Sequence, residues 1–129
     1  MINQLSSERL FKVWEYQVSH GQLLIRSPKA PGSQSNPEQV SNLDLVFIGV
    51  EYMALPRLLQ GIELVDATVD ELGSLADILG HSIGIENVFV LRSGNHRFPV
   101  VAADLTANEN NWDIFESPFE FRSLFHTAK

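Results

Sequence analysis

The sequence predicts an α+β fold: a mainly antiparallel sheet of about six strands built from hairpins, with one central amphipathic helix and a short C-terminal helix or strand. Three observations predict it. Short runs of aromatic and β-branched residues recur between turn signals, which is the pattern of strands joined by hairpins. One segment alone combines helical spacing with caps at both ends. No strand–helix–strand alternation occurs, so a parallel sheet is not expected.

Residues 11–18, from Phe11 to Val18, read as the first strand. Trp14, Tyr16 and Val18 fall on one face at period two, and Phe11 and Val13 fall on the other. Ser19, His20 and Gly21 form a turn, and residues 22–27 form a second strand, so the pair is a hairpin. Residues 28–39 hold three prolines and no large apolar side chain. Such a segment buries too little surface to offset the entropy of ordering, so it is expected to be a long mobile loop within a single domain spanning 1–129.

The run Leu43–Tyr52 is nearly continuous in apolar residues, with Asp44 and Glu51 near its ends, and predicts a central strand buried on both faces. Pro56 interrupts the chain after that run, and residues 61–66 predict another strand. Thr68 with Glu71 is a capping box, in which each side chain satisfies the other's free backbone N–H. Leu72, Leu75, Ala76 and Leu79 then recur at helical spacing and Gly80 stands where a left-handed cap belongs, so the helix spans about 69–79. Residues 85–92 and 97–104 predict a second hairpin, with Ser93, Gly94, Asn95 and His96 at its tip. Pro99 has no N–H to donate, which places its strand at an edge or a bulge. Thr106–Asn111 reads as a polar loop. In the tail, Ser117, Pro118 and Glu120 suit a helix start, whereas Phe119, Phe121 and Phe125 fit period two, so residues 118–126 are a helix or a strand.

Composition narrows the function classes. The chain has 129 residues, 44% of them hydrophobic, which is enough for a core and matches one domain. Its net charge is −7, and the split is uneven: residues 1–40 carry four basic and three acidic side chains, residues 41–129 five and thirteen. An acidic body repels phosphate backbones and anionic headgroups, so neither nucleic acid nor membrane is an expected partner. The absence of cysteine excludes disulfides, thiolate zinc sites and cysteine nucleophiles. No apolar signal core stands at the N-terminus and no run approaches the ~20 residues of a membrane span, so a soluble, cytoplasmic protein is expected.

One motif invites a catalytic reading. Gly80, His81, Ser82, Ile83 and Gly84 match a nucleophile elbow, and Asp104 and His126 follow in the Ser…Asp…His order of α/β-hydrolases. The context opposes it. An elbow needs a strand before the serine and a helix after it, and here a capped helix precedes Ser82 and a strand follows. Gly80 as a helix cap and Gly84 as a turn account for both glycines without catalysis. The four histidines, His20, His81, His96 and His126, form no ligand pair at short spacing, so no metal site is expected. No glycine-rich phosphate loop occurs, so no cofactor is expected. Glu15 and Glu51, inside apolar strands, are the carboxylates best placed for an unusual environment, although a strand-end position facing water explains them too.

The tip of the second hairpin carries the densest positive charge of the acidic half. With a Ser93–His96 loop, Arg92 and Arg97 stand directly opposite one another, a repulsion that an internal carboxylate such as Glu86 or Asp104, or a bound anion, must relieve. Arg92, His96, Arg97 and the aromatic Trp112 are therefore the candidate binding residues. The function expected is a non-enzymatic protein-interaction module that binds a protein partner or itself as a homo-oligomer. The alternative is a small-molecule-binding domain or small hydrolase-like enzyme with a pocket between sheet and helix, using Glu51, His81, Ser82 or an arginine of the hairpin tip.

Overall fold

A computed structural model describes residues 5–29 and 41–112. Eight strands form one antiparallel sheet: β1 (Ser6–Gln17), β2 (Gln22–Ser27), β3 (Asn42–Ile48), β4 (Tyr52–Met53), β5 (Leu58–Val65), β6 (Val88–Ser93), β7 (His96–Val101) and β8 (Asp104–Asn110). One helix, α1 (Val69–Leu79), lies between β5 and β6. Among the described residues the antiparallel sheet and the helix at 69–79 agree with the sequence expectation, and the strand number is higher than the six expected. No helix among the described residues is long and apolar enough to cross a membrane. The expected loop at 28–39 falls outside the described residues except for Pro28 and Lys29, and the element expected at 118–126 falls wholly outside them.

The strand order is β4-β7-β6-β5-β1-β2-β3-β8. At its two ends β3 runs into β4 across residues 49–51 and β7 runs into β8 across Ala102 and Ala103, so each terminal strand is joined in sequence to the strand beside the opposite end. The sheet therefore rolls until those ends meet. β3 and β4 run as one bent strand along β8 and β7, from Asn42 opposite Asn110 to Met53 opposite Val100. Across the rolled interior, the rings of Phe47 on β3 and Phe89 on β6 meet edge-on at 5.9 Å. A flat sheet keeps neighbouring strands about 4.8 Å apart, so strands four places apart touch only when the sheet is curled.

The interior is filled by Phe11, Leu23, Ile25, Leu45, Phe47, Leu59, Leu91, Val100 and their neighbours, all buried. The opposite face of β5, β6 and β7 carries Val65, Val88, Val90 and Val101, on which α1 lays Leu72, Leu75 and Leu79. The helix starts and stops where expected. Thr68 Oγ1 accepts from the Glu71 amide, the Glu71 carboxylate accepts from the Thr68 amide, and Gly80 caps the end at φ 80°.

Four sequence expectations need correction. Trp14 and Tyr16 do not share a face, because a bulge between Val13 and Glu15 resets the alternation. Trp14 packs outward on Leu24 and Val46, and Tyr16 stands opposite Leu23, an interior residue. The stretch Thr106–Asn111 is not a loop, since residues through Asn110 form β8, with only Leu105 of that strand fully buried. The Leu43–Tyr52 strand ends at Ile48, where Gly49 turns at φ 68° and leads into the two-residue β4. Neither an edge nor a bulge is found at Pro99, because β7 lies between β6 and β4 and pairs with both in unbroken register. The missing donor costs no bond to β6, since the Pro99 carbonyl accepts from Ala54 just past β4 and its nitrogen faces that side.

Behind Trp14 the outer face of β1, β2 and β3 buries a charged pair. Arg26 and Asp44 are directly opposite in register and both are fully buried. Arg26 Nε and Nη2 donate to the two carboxylate oxygens at 2.7 and 3.0 Å, Asn110 donates to the same carboxylate, and the guanidinium lies 5.3 Å from the Trp14 ring. Nearby, Arg9 donates to Ser27 Oγ and to the Ser27 and Ser41 carbonyls. Asn42 accepts from the Lys29 amide. These bonds join the two strand ends from which residues 30–40 depart.

Candidate functional site

The structure brings three of the four candidate binding residues together. Arg92 ends β6 and Arg97 begins β7, directly opposite each other, with Ser93 opposite His96 as the turn demands. Gly94 has φ 61° and no non-glycine among the described residues has positive φ, so the tip is a two-residue turn with glycine first. Trp112 lies elsewhere, past the end of β8, where its amide donates to Asn110 and its carbonyl accepts from Asn42.

The relief of the Arg92–Arg97 repulsion comes from carboxylates other than the two expected. Arg92 pairs with Glu63, its cross-strand neighbour on β5. Arg97 grips both carboxylate oxygens of Glu71 at 2.8 and 2.9 Å and donates to the Asp66 carbonyl at 2.8 Å. That grip, reinforced by the Thr68 amide, holds the Glu71 carboxyl down to about 2. Glu71 thus has two duties, completing the helix cap and tying α1 to β7. Asp104 is engaged elsewhere, accepting from the Leu105 amide, and the Glu86 carboxylate lies against Gly84. His96 rests beside Phe98, with ring centroids 6.1 Å apart.

A second cluster lies where α1 ends and the β7–β8 strand bends. Gly49, Glu51, His81, Ser82, Ile83, Gly84, Asn87 and residues 101–103 line an open cleft of about 250 Å³. His81 is its most engaged polar group. Its Nε2 lies 2.5 Å from Glu51 Oε2 and its Nδ1 lies 2.8 Å from the Ser82 carbonyl oxygen. Both partners offer acceptor oxygens, an arrangement that favours the ring with a proton on each nitrogen. Its pKa is raised accordingly, first by the Glu51 hydrogen bond and then by the Ser82 carbonyl.

This geometry does not arrange Ser82 as an activated nucleophile. Both His81 nitrogens are engaged, one by Glu51 and one by the Ser82 carbonyl, and Ser82 Oγ makes no hydrogen bond among the described residues. Ser82 follows the left-handed Gly80 cap and precedes a 3-10 turn at Ile85–Asn87, the reverse of the strand–serine–helix order of an elbow. His126 lies outside the described residues. No group of three or more metal-ligating side chains occurs among the described residues.

Two partnerships escaped the sequence. Glu51 and His81 are thirty residues apart on different elements, and no local pattern links them. Arg26 and Asp44 did leave a trace, since each interrupts an otherwise apolar strand at the position facing the other. No family model matches the chain, and no curated protein and no solved structure matches it either.

Proposed function

We propose that the chain is a non-enzymatic, acidic interaction module of the cytoplasm, binding a protein partner or a second copy of itself. The observation that carries the reading is the rolled sheet's interior, which is packed with fully buried aromatic and aliphatic side chains. A small-molecule binder of this architecture needs that space for its ligand. A second support is that the candidate catalytic and cationic groups are engaged within the fold: His81 by Glu51, Arg92 by Glu63 and Arg97 by Glu71. The excess of carboxylates favours fast encounter with a basic surface.

The test is capture on the immobilised chain, followed by reciprocal titration of each retained protein in purified form, with the solution mass measured in parallel. Saturable binding of a purified partner, or a mass above the 14.5 kDa of one chain, supports the reading. Neither result on repeated capture overturns it. A second reading rests on the cleft, which Ser82 lines together with the His81–Glu51 pair. Labelling by a fluorophosphonate probe that Ser82→Ala abolishes turns the assignment to a hydrolase-like enzyme.

A further inference from the structure

One edge of β8 pairs with no other strand among the described residues, and its chemistry suits a second copy of the same strand. Its sequence, Asp104-Leu-Thr-Ala-Asn-Glu-Asn110, contains no lysine, arginine, proline or glycine. It pairs with β3 over seven consecutive residues without a bulge. Ala103 donates to the Ile48 carbonyl, which fixes which residues turn toward β3, whereas the Leu105 amide donates to the Asp104 side chain. Leu105, Ala107 and Glu109 therefore turn their backbone groups away from β3. β6 does not reach that side, because its first residue, Val88, already stands opposite Val101. Among the described residues no strand pairs with the outer edge of β8.

Natural edge strands are guarded by lysine, proline, bulges or a covering element, because unpaired backbone groups template pairing with another chain. β8 has none of the first three. The middle of its edge offers Thr106, Ala107 and Asn108, all small, neutral and exposed. Its two charges are partly committed at home: Asp104 holds the Leu105 amide, and Glu109 acts on Arg9 across the end of the sheet. A basic partner strand finds no free carboxylate at the centre of this edge, whereas an equally neutral strand fits it.

We propose that the chain self-associates by antiparallel pairing of β8 with β8 of a second copy, about a two-fold axis at Ala107. This rests on the interaction-module reading and names its partner. In that register Ala107 faces the partner's Ala107, Leu105 faces the partner's Glu109 and Thr106 faces the partner's Asn108. The outward-turned residues 105, 107 and 109 then meet only each other, as an antiparallel ladder requires. Asp104 faces the partner's Asn110, so no like charges stand opposite although each chain carries −7. One strand pair lies at the low end of interface sizes, so the dimer is concentration-dependent.

Sedimentation equilibrium from micromolar to millimolar chain concentration tests it, together with amide exchange at Ala107 and Glu109. The expected result is a mass rising from 14.5 kDa toward twice that value, with both amides gaining protection as the dimer forms. Ala107→Lys sets two like charges opposite each other at the two-fold axis, and Ala107→Pro removes an N–H that β3 does not use. Each is expected to weaken association by roughly tenfold or more. If Ala107→Pro fails to fold, Ala107→Lys at an exposed site decides alone. A monomer at every concentration, or a dimer indifferent to Ala107→Lys, overturns self-pairing. A monomer that still binds a purified heterologous partner overturns self-pairing only and leaves the interaction-module reading intact.

Discussion

His81 and Arg26 show two ways a single charge is stabilised, and they predict opposite sensitivities. His81 is half exposed, and its two acceptors raise its pKa above the ordinary 6.5. A raised folded-state value means that the clasp between Glu51 and the helix end is fully present below pH 6.5 and is lost as pH rises through the folded pKa. We expect an NMR titration of the His81 ring to show a midpoint above 6.5 that falls toward it in Glu51→Gln. An unchanged midpoint in that variant excludes Glu51 as the cause. Arg26 and Asp44 are fully buried, so solvent screens neither. Asp44→Ala takes from the buried Arg26 guanidinium its carboxylate partner and should cost about 3–5 kcal/mol in denaturant unfolding. Replacing both residues by apolar ones of similar volume should recover most of that loss, because desolvation of the pair offsets much of its attraction. A double variant as unstable as Asp44→Ala contradicts this account.

At the scale of elements, α1 depends on one residue more than its length suggests. Glu71 completes the cap and holds Arg97 on β7, so Glu71→Ala removes both bonds and should cost about 1–2 kcal/mol. The Arg92–Glu63 pair is nearly half exposed, and Arg92→Ala should change stability by less than about 1 kcal/mol. Because the Glu71 carboxyl is depressed from 4.5 to about 2, its contribution is complete above pH 4.5 and is lost as pH falls toward about 2. Unfolding curves for the wild type and Glu71→Ala should therefore converge in acid, and a constant gap refutes the linkage. This helix was legible in the sequence because its signals are local: Thr68, Glu71 and Gly80 act within a few residues of one another. The second hairpin was legible for the same reason. β8 was not, because an edge strand with one buried residue leaves no alternation to read, and its ladder depends on β3 more than fifty residues away. The bulge beside Trp14 was hidden too, since an extra residue shifts the alternation without altering composition. At the candidate site, the opposition of Arg92 and Arg97 followed from turn length, whereas Glu63 and Glu71 were placed beside them only by the packing of β5 and α1.

For the whole molecule, the rolled sheet sets the order in which contacts become available. β1 meets β2 locally, but it also pairs with β5, placing Ser6 opposite Glu63. Closing the roll requires Asn42 to find Asn110. Between these partners lie α1 and the β6–β7 hairpin, elements that form within their own segments. Each long closure costs chain entropy before the contacts it brings are made. Interior packing compounds this, because Phe47 and Phe89 meet only when both halves of the sheet are present. The local pieces have little independent stability, since an isolated hairpin is marginal in water and α1 has only eleven residues. Folding should therefore be cooperative and slow for a chain of this length, with relaxation in milliseconds to seconds, as expected for sheets dominated by distant pairings. Stopped-flow refolding checks this, and Phe47→Leu with Leu105→Ala identifies the closing step. If closure belongs to the transition state, both variants slow refolding in proportion to their loss of stability. Microsecond refolding, or losses appearing wholly in the unfolding rate, places closure after the barrier and shows that α1 with its hairpin forms the nucleus.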